Sequence, residues 1–164
     1  MKKLLLLRHA KSSWADASLP DFERPLNERG LRAAPLIGKF MRKQKIQPDL
    51  IICSPAKRTR ETIALVLEAA GIAPETRYDE RIYEATTSRL MEIIAEIEDD
   101  KREVMLVGHN PGFENLLERL TGRRERMPTA ALAMVILDAE NWSEAVAKGG
   151  YLEEFVKAKE LAKR

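Results

Sequence analysis

The N-terminal stretch Leu4-Leu5-Leu6-Leu7-Arg8-His9-Ala10-Lys11 sets the architecture that we predict for this chain. Its four consecutive leucines predict a short strand that is buried on both faces, as strands are in a sheet covered by helices. The apolar run ends abruptly at Arg8 and His9. Because ligands of open α/β sheets bind beyond the carboxyl ends of the strands, these two side chains are placed where chemistry is expected.

The composition fits one globular domain that spans residues 1–164. The chain is 45% hydrophobic and 33% charged, and 164 residues are enough to bury a sizeable core. Its 28 basic and 26 acidic residues leave a net charge of +2. This charge is too balanced to indicate a nucleic acid or a membrane surface, so we expect neither among the partners.

The residues that mark a compartment or a metal site point to a cytoplasmic protein without a metal or cofactor. Cys53 is the lone cysteine, so an internal disulfide is impossible. Two histidines and one cysteine match no zinc-site spacing. The N-terminal apolar run is too short for a signal peptide or a membrane span. We expect Cys53 to be buried and inert because it lies within an apolar strand.

Strands that alternate with helices predict an α/β layer architecture. The second and third buried strands cover residues 49–53 and 104–107, and an amphipathic helix follows each one. The other predicted elements are a helix capped by Asn27, in which Pro35 causes a kink or a late start, a short strand at 75–78, a helix around 90–97, a strand at 130–137, a helix at 142–148, an edge strand at 151–156 and a solvated tail at 157–164.

Two turns combine a good helix cap with a proline that suits the first helical position. Ser54 precedes Pro55 after the second strand, and Asn110 precedes Pro111 after the third. We therefore predict that Ser54 and Asn110 cap the helices that follow them. In the polar loop at 12–23, we expect Trp14 to be an apolar packing residue.

Each of the three buried strands ends in a turn that supplies a cation or an imidazole. The first turn supplies Arg8 and His9. The second supplies Arg58, on the first turn of its helix, and the third supplies His109. Together with the free amides at two helix starts, these groups predict a small pocket whose natural guest is a phosphoryl group. A neutral imidazole there can attack phosphorus and form a phosphohistidine intermediate, while arginines bind the oxygens and make a metal unnecessary.

A structural interpretation of each turn stands beside the functional one. An Arg-His pair after a strand is more often a surface turn, and His109 is able to serve only as a support for its own loop. On the structural interpretation, Arg58 and its basic neighbours form a solvated helix face. The basic cluster at 123–126 is then a solvated loop or a weak docking patch. The conjunction of three such turns, each after a buried strand, favours the functional interpretation.

Three blocks of the chain resemble the histidine phosphatase superfamily. Residues 7–11, Leu-Arg-His-Ala-Lys, resemble its signature, in which Arg-His-Gly is the usual form. Residues 54–62, Ser-Pro-Ala-Lys-Arg-Thr-Arg-Glu-Thr, resemble its second block, and residues 107–111, Val-Gly-His-Asn-Pro, resemble its third. The resemblance implies a three-layer α/β/α sandwich with a mostly parallel mixed sheet, the phosphoglycerate mutase-like fold.

The same resemblance implies roles for the residues of the site. His9 is implied as the nucleophile, and Arg8 and Arg58 as phosphate ligands. His109 is implied as a further ligand of the phosphoryl group. Ser12 lies where many members carry a serine near the phosphate, so the resemblance also marks it as a phosphate-binding residue.

Within the superfamily, the chain most resembles the small SixA-type phosphohistidine phosphatases. The resemblance rests on Arg-His-Ala-Lys-Ser at 8–12 with the following Trp14, and on Arg-Pro-Leu-Asn-Glu-Arg-Gly at 24–30. It implies a metal-independent phosphatase, a hydrolase that forms a phosphohistidine intermediate and dephosphorylates phosphohistidine on a protein.

The general acid is the least defined part of the implied site. Residues 79–83, Asp-Glu-Arg-Ile-Tyr, resemble the block that holds an acidic residue in the mutases, which points to Glu80. Glu84 is the other candidate for the general acid. Both glutamates also fit the alternative of an ordinary surface carboxylate. In SixA-type members this acid is often missing. The labile bond between phosphorus and an imidazole nitrogen gives a physical reason, because such a leaving group needs less help than an alkoxide.

Two other functions stay open at this point. A small-molecule phosphomonoesterase or mutase-like enzyme has a small phosphate ester as its partner, but a mutase usually needs a closing lid, and we see no long insertion to form one. The other is a non-catalytic phosphate-binding or partner-docking module, against which the complete set of arginines and histidines argues. The sequence leaves the physiological partner and the oligomeric state open.

Overall fold

The computed structural model describes residues 1–163, which form a six-stranded sheet with helices on both faces. The strands are β1 (Lys2–Arg8), β2 (Leu50–Cys53), β3 (Glu75–Tyr78), β4 (Glu103–Gly108), β5 (Leu132–Leu137) and β6 (Gly150–Val156). They lie in the order β3-β2-β4-β1-β5-β6. The first four in that order run parallel, whereas β5 is antiparallel to both of its neighbours. The prediction of a mixed, mostly parallel sheet is confirmed.

The leucines of β1 show how the three layers arise. Leu5 and Leu7 pack on the face covered by α1 (Glu28–Gln44), α2 (Lys57–Ala70) and α6 (Ala158–Leu161). Leu4 and Leu6 pack on the face covered by α3 (Thr87–Ala95), α4 (Gly112–Thr121) and α5 (Trp142–Lys148). All four leucines are completely buried, because successive residues of a strand face opposite sides of the sheet. The predicted α/β/α sandwich is confirmed.

The parallel register brings the ends of three strands together at one edge of the sheet. Arg8 at the end of β1 pairs with Gly108 at the end of β4. Cys53 at the end of β2 pairs with Val107 of β4. The segments that follow β1, β2 and β4 therefore leave the sheet side by side.

The start of α1 was predicted only in part. Asn27 caps this helix as predicted, because its side chain accepts a hydrogen bond of 2.9 Å from the Gly30 N–H. However, α1 begins at Glu28 and runs through Pro35, so the predicted late start is wrong. The carbonyl that loses its donor belongs to Leu31, an exposed residue on which water can take the place of that donor.

The C-terminal segment was predicted as a solvated tail, and this prediction is wrong for α6. Ala158 of α6 is buried, and Leu161 packs against the face that also holds α1. The last residue of that tail, Arg164, lies outside the described residues.

The predicted caps at Ser54 and Asn110 are also wrong. Helix α2 begins at Lys57 and α4 begins at Gly112, in each case without a capping hydrogen bond from a side chain. Both polar side chains instead make hydrogen bonds at the edge of the sheet where β2 and β4 end.

No helix within residues 1–163 is both long enough and apolar enough to cross a membrane.

Candidate active site

Two histidines and two arginines meet at the edge where β1, β2 and β4 end. Arg8 is the last residue of β1, and His9 follows it; Arg58 lies in the first turn of α2. His109 directly follows β4, and its ring centroid lies 5.3 Å from that of His9, with the rings tilted by 52°. His9, Arg58 and His109 are each more than 90% buried. The structure therefore brings together the four residues that the sequence singled out.

The backbone holds His9 in one tautomer. Its Nδ1 donates a hydrogen bond of 2.7 Å to the carbonyl oxygen of Ala10. The N–H of Ala10 in turn donates to Thr62 Oγ1 (2.9 Å), and that hydroxyl donates to the carbonyl of Arg58 (2.6 Å). Because Nδ1 carries the proton in the neutral ring, Nε2 keeps its lone pair.

The surroundings of His9 keep the imidazole uncharged. Burial lowers its pKa to about 4 against a pull from the hydrogen bond to Ala10, and the charges of Arg58, Arg8 and Arg24 lower it further. At neutral pH the ring is therefore an uncharged base, which is the form in which an imidazole is a nucleophile.

The two ring nitrogens of His109 differ in their hydrogen bonding. Its Nε2 lies 2.8 Å from Ser54 Oγ, while Nδ1 is buried and has no hydrogen-bond partner within the described chain. Burial, followed by the neighbouring His9 and Arg58, lowers its pKa to about 3. When the Ser54 hydroxyl donates to Nε2, the proton of the neutral ring is on Nδ1, where it can be donated to a bound oxyanion.

One guanidinium nitrogen of Arg8 is bound to the backbone, and another has no partner within residues 1–163. Its Nη1 donates a 2.9 Å hydrogen bond to the carbonyl of Met127. Its Nε is buried and unpaired in the part of the chain that the structure describes. Since buried donors are almost always paired, this N–H marks a position for an acceptor that binds in the pocket. Asn110 strengthens the same anchor, because its Nδ2 also donates to the Met127 carbonyl (2.9 Å).

Arg58 is held by Asp21, which lies on the loop that crosses above the pocket. Its Nη1 donates to the backbone carbonyl of Asp21 (2.8 Å), and its Nη2 donates to Oδ2 of the same residue (3.0 Å). The hydroxyl of Tyr83 donates to this carboxylate as well. Desolvation would raise the pKa of Asp21, but the hydrogen bonds from Tyr83 and Arg58 outweigh it and lower the pKa to about 2. Asp21 is therefore an ionised acceptor. Burial of Tyr83, followed by its hydrogen bond to Asp21 and the charge of that carboxylate, raises the pKa of Tyr83 to about 12.

Arg24 ties the same loop to the start of the chain. Its Nη1 donates to Asp21 Oδ1 (2.8 Å), its Nε donates to the carbonyl of Ser13 (3.0 Å), and its Nη2 donates to Ser12 Oγ. Ser12 is buried and pairs with Leu26 in an isolated β-bridge. The structure thus shows Ser12 as a partner of Arg24 within the loop.

The expectation that Trp14 is a packing residue is wrong. Its side chain is 73% exposed, and its ring stacks on the guanidinium of Arg24, with 3.4 Å between the carbon of the guanidinium and the ring centroid. The loop between residues 13 and 25 places Trp14 outside Arg24, where the ring covers the cation rather than a hydrophobic core.

The two carboxylates considered as general acids lie in different places. Glu80 is exposed and makes no hydrogen bond or ion pair between side chains within residues 1–163. Glu84 is also exposed, but it lines a cavity of about 570 Å³ together with His109, Thr86, Ser88 and other polar residues. Its φ of 54° is a left-handed conformation that a glutamate rarely adopts. The roles of both residues in catalysis stay predictions.

Sequence reasoning missed Asp21, Tyr83 and Ser54 as parts of the site. Arg24 was noted only as part of a motif. Asp21 and Tyr83 are separated by 62 residues and carry no local pattern that would join them. The available signal was weak: an ionisable residue in a polar loop that follows the His9 turn.

The structure also places the lone thiol and the possible metal ligands. Cys53 is fully buried, as predicted, and burial raises the pKa of its thiol to about 12. Among residues 1–163, no three His, Cys, Asp or Glu side chains converge in a way that could hold a metal ion.

Comparison with known proteins connects this geometry to a family. Residues 4–86 match the model of the histidine phosphatase superfamily (branch 1). An uncharacterized protein of Mycobacterium tuberculosis is 34% identical over 149 residues, which cover 84% of this chain and 90% of that protein.

Two solved structures of candidate SixA phosphohistidine phosphatases have the same fold. The protein from Agrobacterium tumefaciens superposes with a TM-score of 0.83 at 31% identity, over 95% of this chain and 97% of that one. The protein from Nakamurella multipartitia superposes with a TM-score of 0.83 at 27% identity, over 95% of each chain. The chain belongs to the histidine phosphatase superfamily, and it is a phosphatase with the phosphoglycerate mutase-like fold of the SixA structures.

Proposed function

We propose that residues 1–164 act as a single histidine phosphatase domain that removes the phosphoryl group from phosphohistidine on a protein, through a phosphoryl-His9 intermediate. The observation that carries this proposal is the state of His9. Its Nδ1 proton is fixed on the Ala10 carbonyl at 2.7 Å, its pKa is lowered to about 4, and its Nε2 lone pair lies in a pocket of cations.

The reaction has two displacement steps at phosphorus. In the first, Nε2 of His9 attacks phosphorus, and the bond from phosphorus to the substrate imidazole breaks as that imidazole takes up a proton. In the second, water attacks phosphoryl-His9, which releases inorganic phosphate and returns His9 to its neutral form. The leaving imidazole takes its proton from solvent in the first step, and the attacking water returns one proton to solvent in the second, while the Nδ1 proton of His9 stays hydrogen-bonded to the Ala10 carbonyl. The electron pairs and protons therefore balance without a metal, a cofactor or an oxidant.

The donors around His9 fit the charge of the transferred group. The unpaired Nε of Arg8 and Nδ1 of His109 are buried and available to the phosphoryl oxygens. Arg58 adds a guanidinium that Asp21 holds in a fixed orientation. Preorganised cations of this kind stabilise the spread of charge over the equatorial oxygens in the transition state. Ser12 supports this arrangement through Arg24, and its direct contact with phosphate stays a prediction.

The carboxyl groups near the pocket indicate which kind of leaving group the site can release, because a poor leaving group needs a proton donor. Asp21 cannot donate a proton at neutral pH because its pKa is about 2 and its oxygens accept bonds from three side chains. Glu80 is exposed and does not line the cavity beside His109, whereas Glu84 does. A substrate whose bond to phosphorus is labile, such as phosphohistidine, suits a site with so little acid assistance. The likeness to SixA structures adds support of the same kind.

A small phosphate ester is the alternative substrate that one observation favours. The cavity of about 570 Å³ beside His109 is large enough for a small polar leaving group. On this alternative, Glu80 or Glu84 has to supply the proton that an alkoxide requires. The non-catalytic phosphate-binding module considered from the sequence has no such observation in its favour.

The test compares hydrolysis of two substrates by the full chain, with a chelator present. One is a phosphohistidine-bearing protein domain and the other is a generic aryl phosphate; wild type and His9→Ala are assayed side by side. We expect wild type to release phosphate from the domain with the higher kcat/KM, and His9→Ala to release none. A higher kcat/KM on the aryl phosphate would favour the small-ester alternative. Phosphate binding without hydrolysis of either substrate would favour the module.

Glu80→Gln and Glu84→Gln in the same assay locate the general acid. Neither change should slow phosphohistidine hydrolysis by more than about threefold if the leaving imidazole needs no help. A large loss on the aryl phosphate alone would assign the acid to the residue that was changed.

A further inference from the structure

A groove between α1 and α6 carries an unusual concentration of positive charge. Its volume is about 430 Å³, and five of its eleven lining residues are cations. They are Lys11, Arg29, Arg32, Lys157 and Lys159. No Asp or Glu is among the residues that line the groove in the described part of the chain. For a chain with a net charge of only +2, this is a strong local asymmetry.

Little within the protein neutralises these cations. Among residues 1–163, Lys11, Arg29 and Lys159 have no acidic side chain within ion-pair distance. Arg32 faces Glu28 of its own helix, and Lys157, which precedes α6, faces Glu160 of that helix, each at a separation of 4.0 Å between the charged atoms. Exposed pairs at this distance contribute little, so the groove keeps most of its charge.

The groove begins next to the catalytic pocket. Lys11 lies two residues after His9, and Ala130, which directly follows Thr129 of the groove, donates its N–H to the carbonyl of His9 (2.9 Å). Pro128 and Thr129 line the groove just after Met127, whose carbonyl anchors Arg8.

The first turn of α1 fixes the other side of the groove. A Cβ on Gly30 would lie 2.2 Å from the carbonyl oxygen of Lys11, so the helix packs directly on the backbone that follows His9. Arg29 precedes this contact and Arg32 lies one turn further along the helix. A chain lying in the groove would therefore reach the His9 edge of the sheet.

The floor of the groove is apolar. Ala33 and Leu36 of α1 line it together with Ala158 and Ala162. Cations above an apolar floor suit an extended or helical segment that combines carboxylates with small apolar side chains. The cavity on the other side of His109 differs, since its ionisable lining residue besides the histidine is Glu84.

We infer that this groove is the docking site for an acidic segment of the phosphorylated protein substrate, which holds that protein while its phosphohistidine enters the pocket. The inference rests on the proposed function for the identity of the partner. The charge of the groove and its continuity with the His9 edge favour an acidic protein segment over a small ester, which would not extend beyond the pocket.

Binding is tested first, without any need for catalysis. A fluorescein-labelled decaglutamate peptide is titrated into wild type, into Arg29→Glu/Arg32→Glu and into Lys39→Glu/Lys43→Glu. The last variant is the matched control, because it makes the same change in net charge on exposed positions of α1 outside the groove. We expect the groove variant to weaken binding by about 10-fold or more and the control by less than about twofold. Equal weakening by the two variants would overturn the inference, as would equally tight binding of a ten-nucleotide oligothymidine to the groove.

Hydrolysis of three substrates then separates docking from chemistry. The substrates are a phosphohistidine peptide flanked by glutamates, the same peptide flanked by glutamines, and an aryl phosphate. Wild type should prefer the glutamate peptide by about 10-fold in kcat/KM, through KM. The groove variant should lose this preference and keep its activity on the aryl phosphate. An unchanged preference in the groove variant would contradict docking. If neither peptide is hydrolysed while decaglutamate still binds in the groove, the proposed substrate is wrong and the docking site stands.

Discussion

The floor of the catalytic pocket and the loop that covers it are built in opposite ways. The floor consists of Arg8, His9 and His109, each attached directly to the end of a buried strand, and it keeps unpaired donors and a free lone pair. The covering loop contributes Asp21 and Arg24, whose polar atoms are paired with other side chains and with backbone carbonyls. Unpaired groups act on a substrate, whereas paired groups orient their neighbours. The floor should therefore determine chemistry, and the loop should determine geometry.

Arg58 connects the two regions, and its loss should have the largest effect on binding. Replacing Arg58 by Ala removes a buried guanidinium that is oriented by two bonds to Asp21. We expect the Kd for vanadate to rise by about 100-fold, since charge-assisted hydrogen bonds to an oxyanion are among the strongest polar contacts. Isothermal titration calorimetry on wild type, Arg58→Ala and Arg58→Lys measures it. An unchanged affinity in Arg58→Ala would remove this residue from the pocket.

Asp21→Asn tests whether the loop acts through orientation. The change keeps the shape and an acceptor oxygen but removes the charge that holds Arg58 and Arg24. We expect kcat to fall by about 10-fold while the Kd for inorganic phosphate changes by less than about threefold, because orientation matters most in the transition state. Tyr83→Phe is the control, since it removes one donor to the same carboxylate and should cost less. A kcat equal to that of wild type would show that the loop is only a cover.

The uncharged state of the two histidines in the pocket floor predicts a dependence of stability on pH. The pKa of His9 is about 4 and that of His109 about 3 in the folded chain, below the value near 6.5 of an unfolded histidine. As the pH falls from about 7 towards 4, the unfolded chain takes up protons that the folded chain does not. The free energy of unfolding should therefore decrease over this window, by about 1–2 kcal/mol for each histidine at pH 5.

Urea unfolding at pH 7 and pH 5, with His9→Gln as the comparison, measures this effect. The variant should lose less stability than wild type over the same window. Nitrogen-15 spectra of the histidine rings give the pKa values directly. A ring pKa near 6.5 for His9 would contradict the conclusion that burial and the neighbouring arginines lower the pKa of this residue.

The outermost contact of the loop should matter least. Trp14 is 73% exposed and stacks on Arg24, so Trp14→Ala removes one cation–π contact without opening a core. We expect a loss of about 0.5–1 kcal/mol in the free energy of unfolding and little change in kcat. Chemical denaturation measures it, and a loss above about 2 kcal/mol would indicate that Trp14 packs more deeply than the structure shows.

The floor was predictable from sequence because its signals are local. Four buried leucines followed by Arg8 and His9 define a strand and the groups at its end within six residues. The loop was not predictable, because Asp21 reaches Arg58 and Tyr83 across 37 and 62 residues without a periodic pattern. Ser54 was predicted as a helix cap on good local grounds, yet its hydroxyl bonds to His109 instead. The tertiary contact with His109 therefore outweighs the local preference of Ser54 for a helix-capping position.

The most direct test of the account identifies the residue that carries the phosphoryl group during turnover. A phosphohistidine-bearing domain is mixed with the full chain, quenched in alkali within milliseconds and digested for mass spectrometry. We predict a transient phosphoryl group on the peptide that contains His9, absent from the His9→Ala chain. A phosphoryl group on His109, or steady release of phosphate with no phosphorylated intermediate, would contradict the central claim that His9 is the nucleophile.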